Sequence, residues 1–138
     1  MRVLLFLALL ASFNDDEWQE RLGRERYRIM RDKGTEPSYS GTYAVPGTSL
    51  VYLCAACDSP LFRSQEQYDV GNGWPNFTYP IAKESVYYLE DWSIGFKRYE
   101  VLCRCCNGHL GHVFNDGPPP KNLRFCINSI CLKIENQE

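Results

Sequence analysis

Clustered basic residues are missing from this chain. Fifteen Lys and Arg stand against seventeen Asp and Glu, a formal charge of −2, which leaves no phosphate-tracking surface of the kind that nucleic-acid binding needs. A membrane-spanning run is missing too. The apolar stretch at residues 3–10 is far shorter than the roughly 20 residues a spanning helix requires. It follows Arg2 and resembles a short secretory h-region, yet no A-x-A cleavage site comes after it. Residues 1–13 therefore read as an apolar N-terminal segment, either a signal peptide or a native start. The protein is exported if residues 1–12 act as a signal and cytoplasmic otherwise. There is no internal repeat of useful length, and an even cysteine count is lacking. Seven cysteines argue against a closed disulfide framework, which would leave one unpaired.

What is present suits one domain with its own core, taken as residues 14–138. Aromatics make up 14% of the chain, and Gly and Pro punctuate short Val/Tyr/Leu/Ile runs, a pattern that favours strands and a mainly β fold. The one substantial helical region spans 14–33. Asn14 serves as its N-cap, and Asp15, Asp16 and Glu17 place negative charge in the first turn. Trp18 and Leu22 share a face. Gly23 ends or bends the helix, and Gly34 stops its continuation through Tyr27, Ile29 and Met30. Residues 37–47 run irregularly. Strands are expected at 50–54, 86–89, 98–103 and 123–134. In the last of these the apolar positions change phase between Ile127 and Ile130, which predicts either a β-bulge near Asn128 and Ser129 or a strand covered on both faces.

Four cysteines form two pairs, Cys54-x-x-Cys57 and Cys103-x-x-Cys106. Each pair makes a tight turn with two thiolates on one side, and two such turns complete a tetrahedral four-cysteine site for one zinc ion. With every position filled by protein, the role of that ion is structural. The long separation between the pairs makes the site a clamp between distant hairpins, not a small finger. Redox use of a CxxC belongs to a thioredoxin-like βαβ context that is absent here. A mixed set of Cys54, Cys57, His109 and His112 is disfavoured, because the histidine gap is shorter than the usual three to five residues. Cys105, inside the second pair, is left out of the set.

Arg124-Phe125-Cys126-Ile127-Asn128 reads as a strand with Arg124, Cys126 and Asn128 on a polar face and Phe125 and Ile127 in the core. An inert buried cysteine lacks such company. Arg124 is placed to favour the thiolate, and the Asn128 amide to hold a water or an oxygen. His109 and His112, the only histidines, are expected in a Gly-rich turn, since a straight strand would split them across its faces. With Asn115-Asp116-Gly117-Pro118 they suggest a pocket rim.

Together, Cys54-x-x-Cys57, Gly73-Trp74-Pro75-Asn76-Phe77, Cys103-x-x-Cys106, His109-Leu110-Gly111-His112-Val113-Phe114, Asp116-Gly117-Pro118 and Arg124-Phe125-Cys126-Ile127-Asn128-Ser129 resemble the methionine-R-sulfoxide reductase family, class B, in its zinc-containing form. Gly34-Thr35-Glu36-Pro37 and Ser40-Gly41 extend the likeness N-terminally. The resemblance implies two antiparallel sheets, a structural zinc remote from the chemistry, reduction of the R epimer of methionine sulfoxide in peptides or proteins, and thioredoxin as the usual reductant. The residues suit that chemistry. A sulfoxide has an electrophilic sulfur and a basic oxygen, so its reduction needs a nucleophilic thiolate and an acid for the oxygen. Cys126 is the nucleophile, and His109 and His112 are the candidate acids or water-holders. Trp74 receives the substrate methyl group and Phe114 adds apolar wall. By resemblance Arg124, Asp116 and Asn128 complete the polar site. Attack leaves methionine and a Cys126 sulfenic acid that a second thiol reduces.

One departure stands out. Many members of that family carry a resolving cysteine two residues before the tryptophan, where this chain has Asn72. Cys131 is a weak substitute: five extended residues span up to ~17 Å, and a disulfide needs Cα atoms within about 7 Å. Direct reduction of the sulfenic acid by an external thiol is expected, with Cys105 as runner-up resolving thiol. Two other classes remain open. A non-enzymatic zinc-ribbon interaction module explains both CxxC pairs but gives Cys126, Arg124, Asn128 and the histidines no reason. A secreted disulfide protein is opposed by the odd cysteine count. A monomer is the default.

Overall fold

In the computed structural model, which describes residues 13–44 and 49–135, two short helices precede nine strands arranged as two antiparallel sheets. The expected mainly β fold is borne out. The signal-peptide reading of residues 1–12 lies outside the described residues, as does part of the irregular stretch 37–47. No helix among the described residues is long and apolar enough to cross a membrane.

Helix α1 (Asp15–Leu22) opens on a reciprocal capping box. Glu17 N–H donates to Asn14 Oδ1 at 2.9 Å, and Asn14 N–H donates to the Glu17 carboxylate at 3.4 Å. Gly23, at φ 79°, breaks the helix before α2 (Arg24–Met30). The left-handed residue beyond α2 is Lys33 (φ 58°), not the expected Gly34. Gly34 serves space instead: a Cβ there would lie 3.0 Å from the Arg28 carbonyl oxygen and 3.3 Å from Ile29 Cα. Trp18, Leu22, Ile29 and Met30 are buried. Three arginines tie the helices to the rest of the domain: Arg21 donates to the Ala56 carbonyl at 3.0 Å, Arg31 to that of Cys106 at 2.8 Å, and Arg26 to that of Ile130 at 2.8 Å.

The smaller sheet has the order β2 (Pro60–Arg63), β1 (Val51–Cys54), β9 (Leu132–Ile134). The larger runs β3 (Gln67–Tyr68), β4 (Asn76–Phe77), β8 (Arg124–Ile127), β7 (His109–Phe114), β6 (Arg98–Cys103), β5 (Val86–Asp91). An aromatic cluster packs the two together. The Phe62 and Phe77 rings stack at 4.3 Å, Tyr52 meets Phe77 edge-on at 5.4 Å, and Phe125 lies 6.0 Å from Phe62. Each such pair adds about 0.5–1.5 kcal/mol beyond its area burial.

Two expectations are corrected. The run at 123–134 is neither one bulged strand nor one strand covered on both faces. β8 ends at Ile127, a 3-10 turn spans Ser129–Cys131, and β9 joins the other sheet. The change of apolar phase is a change of sheet. The histidines also lie in a strand, β7, and not in a turn. Val101 pairs with Gly111 and Leu102 with His109, so Leu110 is one residue extra on β7. This bulge shifts the phase by one residue, and the two rings come together with centroids 5.5 Å apart.

Candidate metal centre and active site

The two CxxC turns are copies of one geometry. Each begins at the last residue of a strand, β1 at Cys54 and β6 at Cys103. Asp58 N–H donates to the Cys54 carbonyl at 2.9 Å, and Asn107 N–H to the Cys103 carbonyl at 2.8 Å. Asp58 (φ 67°) and Asn107 (φ 63°) take the left-handed conformation that Asp and Asn tolerate. The four sulfurs lie within 4.8 Å of one another, with Cys54–Cys106 at 3.7 Å and Cys57–Cys103 at 3.6 Å. Ligands about 2.3 Å from a tetrahedral ion would stand about 3.8 Å apart, so the donor set fits zinc in number, type and spacing. All four are buried. Contacts with Cys103 and Cys106, with burial, drive the Cys54 and Cys57 thiols up, while contacts with Cys106, Cys54 and Cys57 hold Cys103 down. Four sulfurs this close could all be thiolates only with a cation among them, which is the charge a metal ion would supply. The site joins the smaller sheet to the larger one, as expected of a clamp.

The second cluster forms where β7 and β8 pair. His112 stands opposite Cys126 in the ladder, and Cys126 also faces Asn76 on β4. The expected alternation along β8 holds, with Phe125 and Ile127 buried and Arg124 and Cys126 half-buried. Arg124 makes a two-pronged contact with Asp116 (2.9 and 3.2 Å), donates to Asn76 Oδ1 at 3.0 Å, and lies 4.6 Å over the Phe114 ring. Asp116 is held below the usual carboxylate range, chiefly by that arginine. Burial pushes the Cys126 thiol up; the Arg124 charge and hydrogen bonds from Arg124 and Asn72 pull against it. The Arg124 charge thus opposes burial, and burial outweighs it.

Each histidine has a buried carboxylate partner. His112 Nε2 lies 2.6 Å from Asp91 Oδ2, and His109 Nδ1 lies 2.7 Å from Glu100 Oε2. Lys33 links the two acids, at 3.0 Å from Asp91 and 3.7 Å from Glu100, and Arg98 adds a contact to Asp91 at 3.2 Å. Burial opposes ionisation of Asp91, but hydrogen bonds from Ser93, His112 and Lys33 hold it well below its ordinary value. His112 is lowered, burial outweighing its bond to Asp91.

A cavity of about 220 Å³ lies over this cluster. Cys126, His112, Trp74, Phe114, Arg124 and Asn128 all line it. The indole N–H of Trp74 is anchored to the Glu36 carbonyl at 3.1 Å. Asn128 is more constrained than its sequence position suggested. Its oxygen accepts from Glu36 N–H at 2.9 Å and its amino group donates to the Leu110 carbonyl at 3.0 Å. His109 stays behind the lining, its Nε2 buried with no hydrogen-bond partner among the described residues, and Asp116 sits on the exposed side of Arg124. Sequence reasoning missed Asp91, Glu100, Lys33 and Arg98 because their partners lie on other elements, across strands or, for Lys33, between the segment after α2 and the larger sheet, with no local signal. It also assigned no role to Glu36, although the motif containing it was recognised.

Residues 22–136 match the SelR domain. An MsrB peptide methionine sulfoxide reductase of Azotobacter vinelandii is 49% identical over 123 residues, covering 89% of this chain and 92% of that protein. The chain belongs to the MsrB family. Two other members, from Leptospira interrogans and Acinetobacter baylyi, are each 46% identical; they cover 90% and 88% of this chain and 95% and 88% of their own lengths. Membership agrees with the motif resemblance, and the zinc-ribbon alternative finds no support.

Proposed function

We propose that this chain reduces methionine-R-sulfoxide in peptides and proteins to methionine, with Cys126 as the nucleophile. One observation carries the reading: Cys126 and His112 face each other across β7 and β8 and open on a single cavity with Trp74. The Cys126 thiolate attacks the sulfoxide sulfur while the oxygen takes a proton. The hydroxyl then passes to the Cys126 sulfur, breaking both the methionine S–O bond and the S–S bond formed by the attack; the methionine sulfur gains two electrons, Cys126 loses two, and the released methionine leaves behind a Cys126 sulfenic acid. We assign the proton to His112 and not to His109, because His112 lines the cavity. Its Nε2 is engaged by Asp91, which leaves Nδ1 for the substrate oxygen. His109 and Glu100 support it from behind. Trp74 and Phe114 hold the methyl group and apolar stem. Arg124, braced by Asp116, supplies positive charge beside the sulfur, and Asn128 shapes the floor.

Zinc is the proposed occupant of the four-cysteine site, one ion per chain, held by Cys54, Cys57, Cys103 and Cys106. When bound it supplies a cross-link between the sheets and takes no part in the reaction. Regeneration falls to an external thiol, with a thioredoxin-like dithiol as the natural class. The first thiol displaces water from the sulfenic acid to form a mixed disulfide, and the second releases Cys126. Cys131 is fully buried and its thiol donates to the His109 carbonyl at 3.3 Å. Cys105 is half-buried within the second CxxC turn, and burial raises its thiol. A single chain is taken as the acting unit.

Turnover of both epimers of a methionine-sulfoxide peptide by wild type and Cys126→Ser tests the proposal. R-selective reduction that disappears in the variant is expected. Reduction of neither epimer by wild type, or full activity in Cys126→Ser, refutes it. Mass spectrometry after one turnover without reductant should find a Cys126 sulfenic acid; a disulfide to Cys105 or Cys131 would overturn the external-thiol step.

A further inference from the structure

The loop Gly71-Asn72-Gly73 is held against residues 38 and 39. Ser38 Oγ donates to the Asn72 carbonyl, Tyr39 N–H donates to the Gly73 carbonyl at 3.0 Å, and the Tyr39 hydroxyl donates to the Gly71 carbonyl at 2.5 Å. Gly73 has φ 83°, and a Cβ there would lie 2.5 Å from Tyr39 N, so this approach requires glycine. The loop therefore presents Asn72 in one place.

The orientation of its carboxamide is set by groups that cannot exchange roles. Trp74 N–H donates to Asn72 Oδ1 at 3.1 Å, and Asn76 Nδ2 donates to the same oxygen at 2.9 Å. Asn76 is oriented in turn: Arg124 donates to its Oδ1 at 3.0 Å, and its Nδ2 donates to the Trp74 carbonyl at 2.8 Å. A guanidinium and a backbone N–H only donate, and a carbonyl only accepts. With its oxygen committed, Asn72 turns its amino group, which carries two N–H bonds, to Asn76 Oδ1 at 3.5 Å and to the Cys126 sulfur at 3.8 Å.

We propose that Asn72 is a catalytic hydrogen-bond donor to the Cys126 sulfur, holding the thiolate before attack and the sulfenic acid after it. The second half of that statement rests on the reductase reading; the first does not. An amide cannot close a disulfide, so the residue in the resolving position stabilises the oxidised intermediate until an external thiol arrives.

The pH dependence of iodoacetamide alkylation, followed on the Cys126 peptide by mass spectrometry in the metal-loaded full chain, tests the contact. Asn72→Ala removes the donor. Asn72→Asp keeps the oxygen that Trp74 and Asn76 need and sets a second, negatively charged oxygen toward the sulfur. A hydrogen bond to a charged group corresponds to about one pKa unit or more. The apparent Cys126 pKa should rise by about one unit in Asn72→Ala, with a roughly tenfold slower reaction at neutral pH, and rise further in Asn72→Asp. If Asn72→Ala does not fold, Asn72→Asp decides alone, because it preserves the loop's bonds. A titration in Asn72→Asp that coincides with wild type overturns the proposal. Alkylation involves no sulfoxide, so that result is independent of whether either epimer is reduced.

Discussion

Replacing Asp91 by asparagine removes one negative charge while keeping the side-chain shape. Asp91 is 2% exposed and lies 2.6 Å from His112 Nε2. A hydrogen bond to a charged partner contributes about 1.5–3 kcal/mol and a neutral one about 0.5–1.5 kcal/mol, so the charge accounts for about 1–1.5 kcal/mol in favour of protonated His112. That is about one pKa unit at 1.36 kcal/mol per unit. Arg98 and Lys33, deprived of their shared anion, push the same way. His112 is already lowered by burial, with Asp91 opposing, so the variant lowers it further. If protonated His112 supplies the proton, the rate limb that falls with rising pH should move down by about one unit. Single-turnover reduction should be about tenfold slower at neutral pH and approach wild type in acid. The assay is the pH–rate profile of methionine formation without recycling thiol. A uniform loss at every pH would show that Asp91 only places the ring, and no loss would remove His112 from the proton step.

Chelation of the metal, or Cys57→Ser, should unfold the domain and not merely slow it. Structural zinc contributes roughly 10–16 kcal/mol in small peptides, as much as a whole domain's stability of about 5–15 kcal/mol; a thermal midpoint unchanged after metal analysis confirms removal would refute the clamp. Gly111→Ala would put a Cβ 2.1 Å from the Cys126 carbonyl oxygen and 2.9 Å from Ile127 Cα. The β7–β8 ladder must part, at about 2–4 kcal/mol read by denaturant titration. Arg124→Gln removes the positive charge that opposes the burial-raised Cys126 thiol, so the thiolate limb of alkylation should move to higher pH; an unshifted limb contradicts the role given to Arg124. In acid, Asp91 works the other way from His112. Its folded value lies below its ordinary one, so its contribution is present above about pH 4 and lost as pH falls through the folded value. Asp91→Asn should therefore unfold with a shallower acid dependence than wild type.

Local spacing in the chain was enough for the elements whose cause is local. The two CxxC turns, the Asn14 N-cap, the inward Phe125 and Ile127 and the outward Arg124 and Cys126 all follow from neighbours a few residues apart. Family membership followed as well, because its motifs are short and ordered. Pairing between distant strands was needed for the rest. The Leu110 bulge exists only against β6, and it alone brings His109 and His112 to one face. The break after β8 reflects a second sheet waiting for Leu132: the change of apolar phase in 123–134 announces an irregularity there, but not the sheet that receives the chain beyond it. Asp91 and Glu100 become histidine partners only when β5, β6 and β7 lie side by side, and the contact from Asn72 to Cys126 spans 54 residues. Turns and caps are closed by bonds within a few residues, so sequence alone reveals them. Register and burial are settled by the whole core packing at once, and they decide which histidine meets the cavity and which amide meets the sulfur.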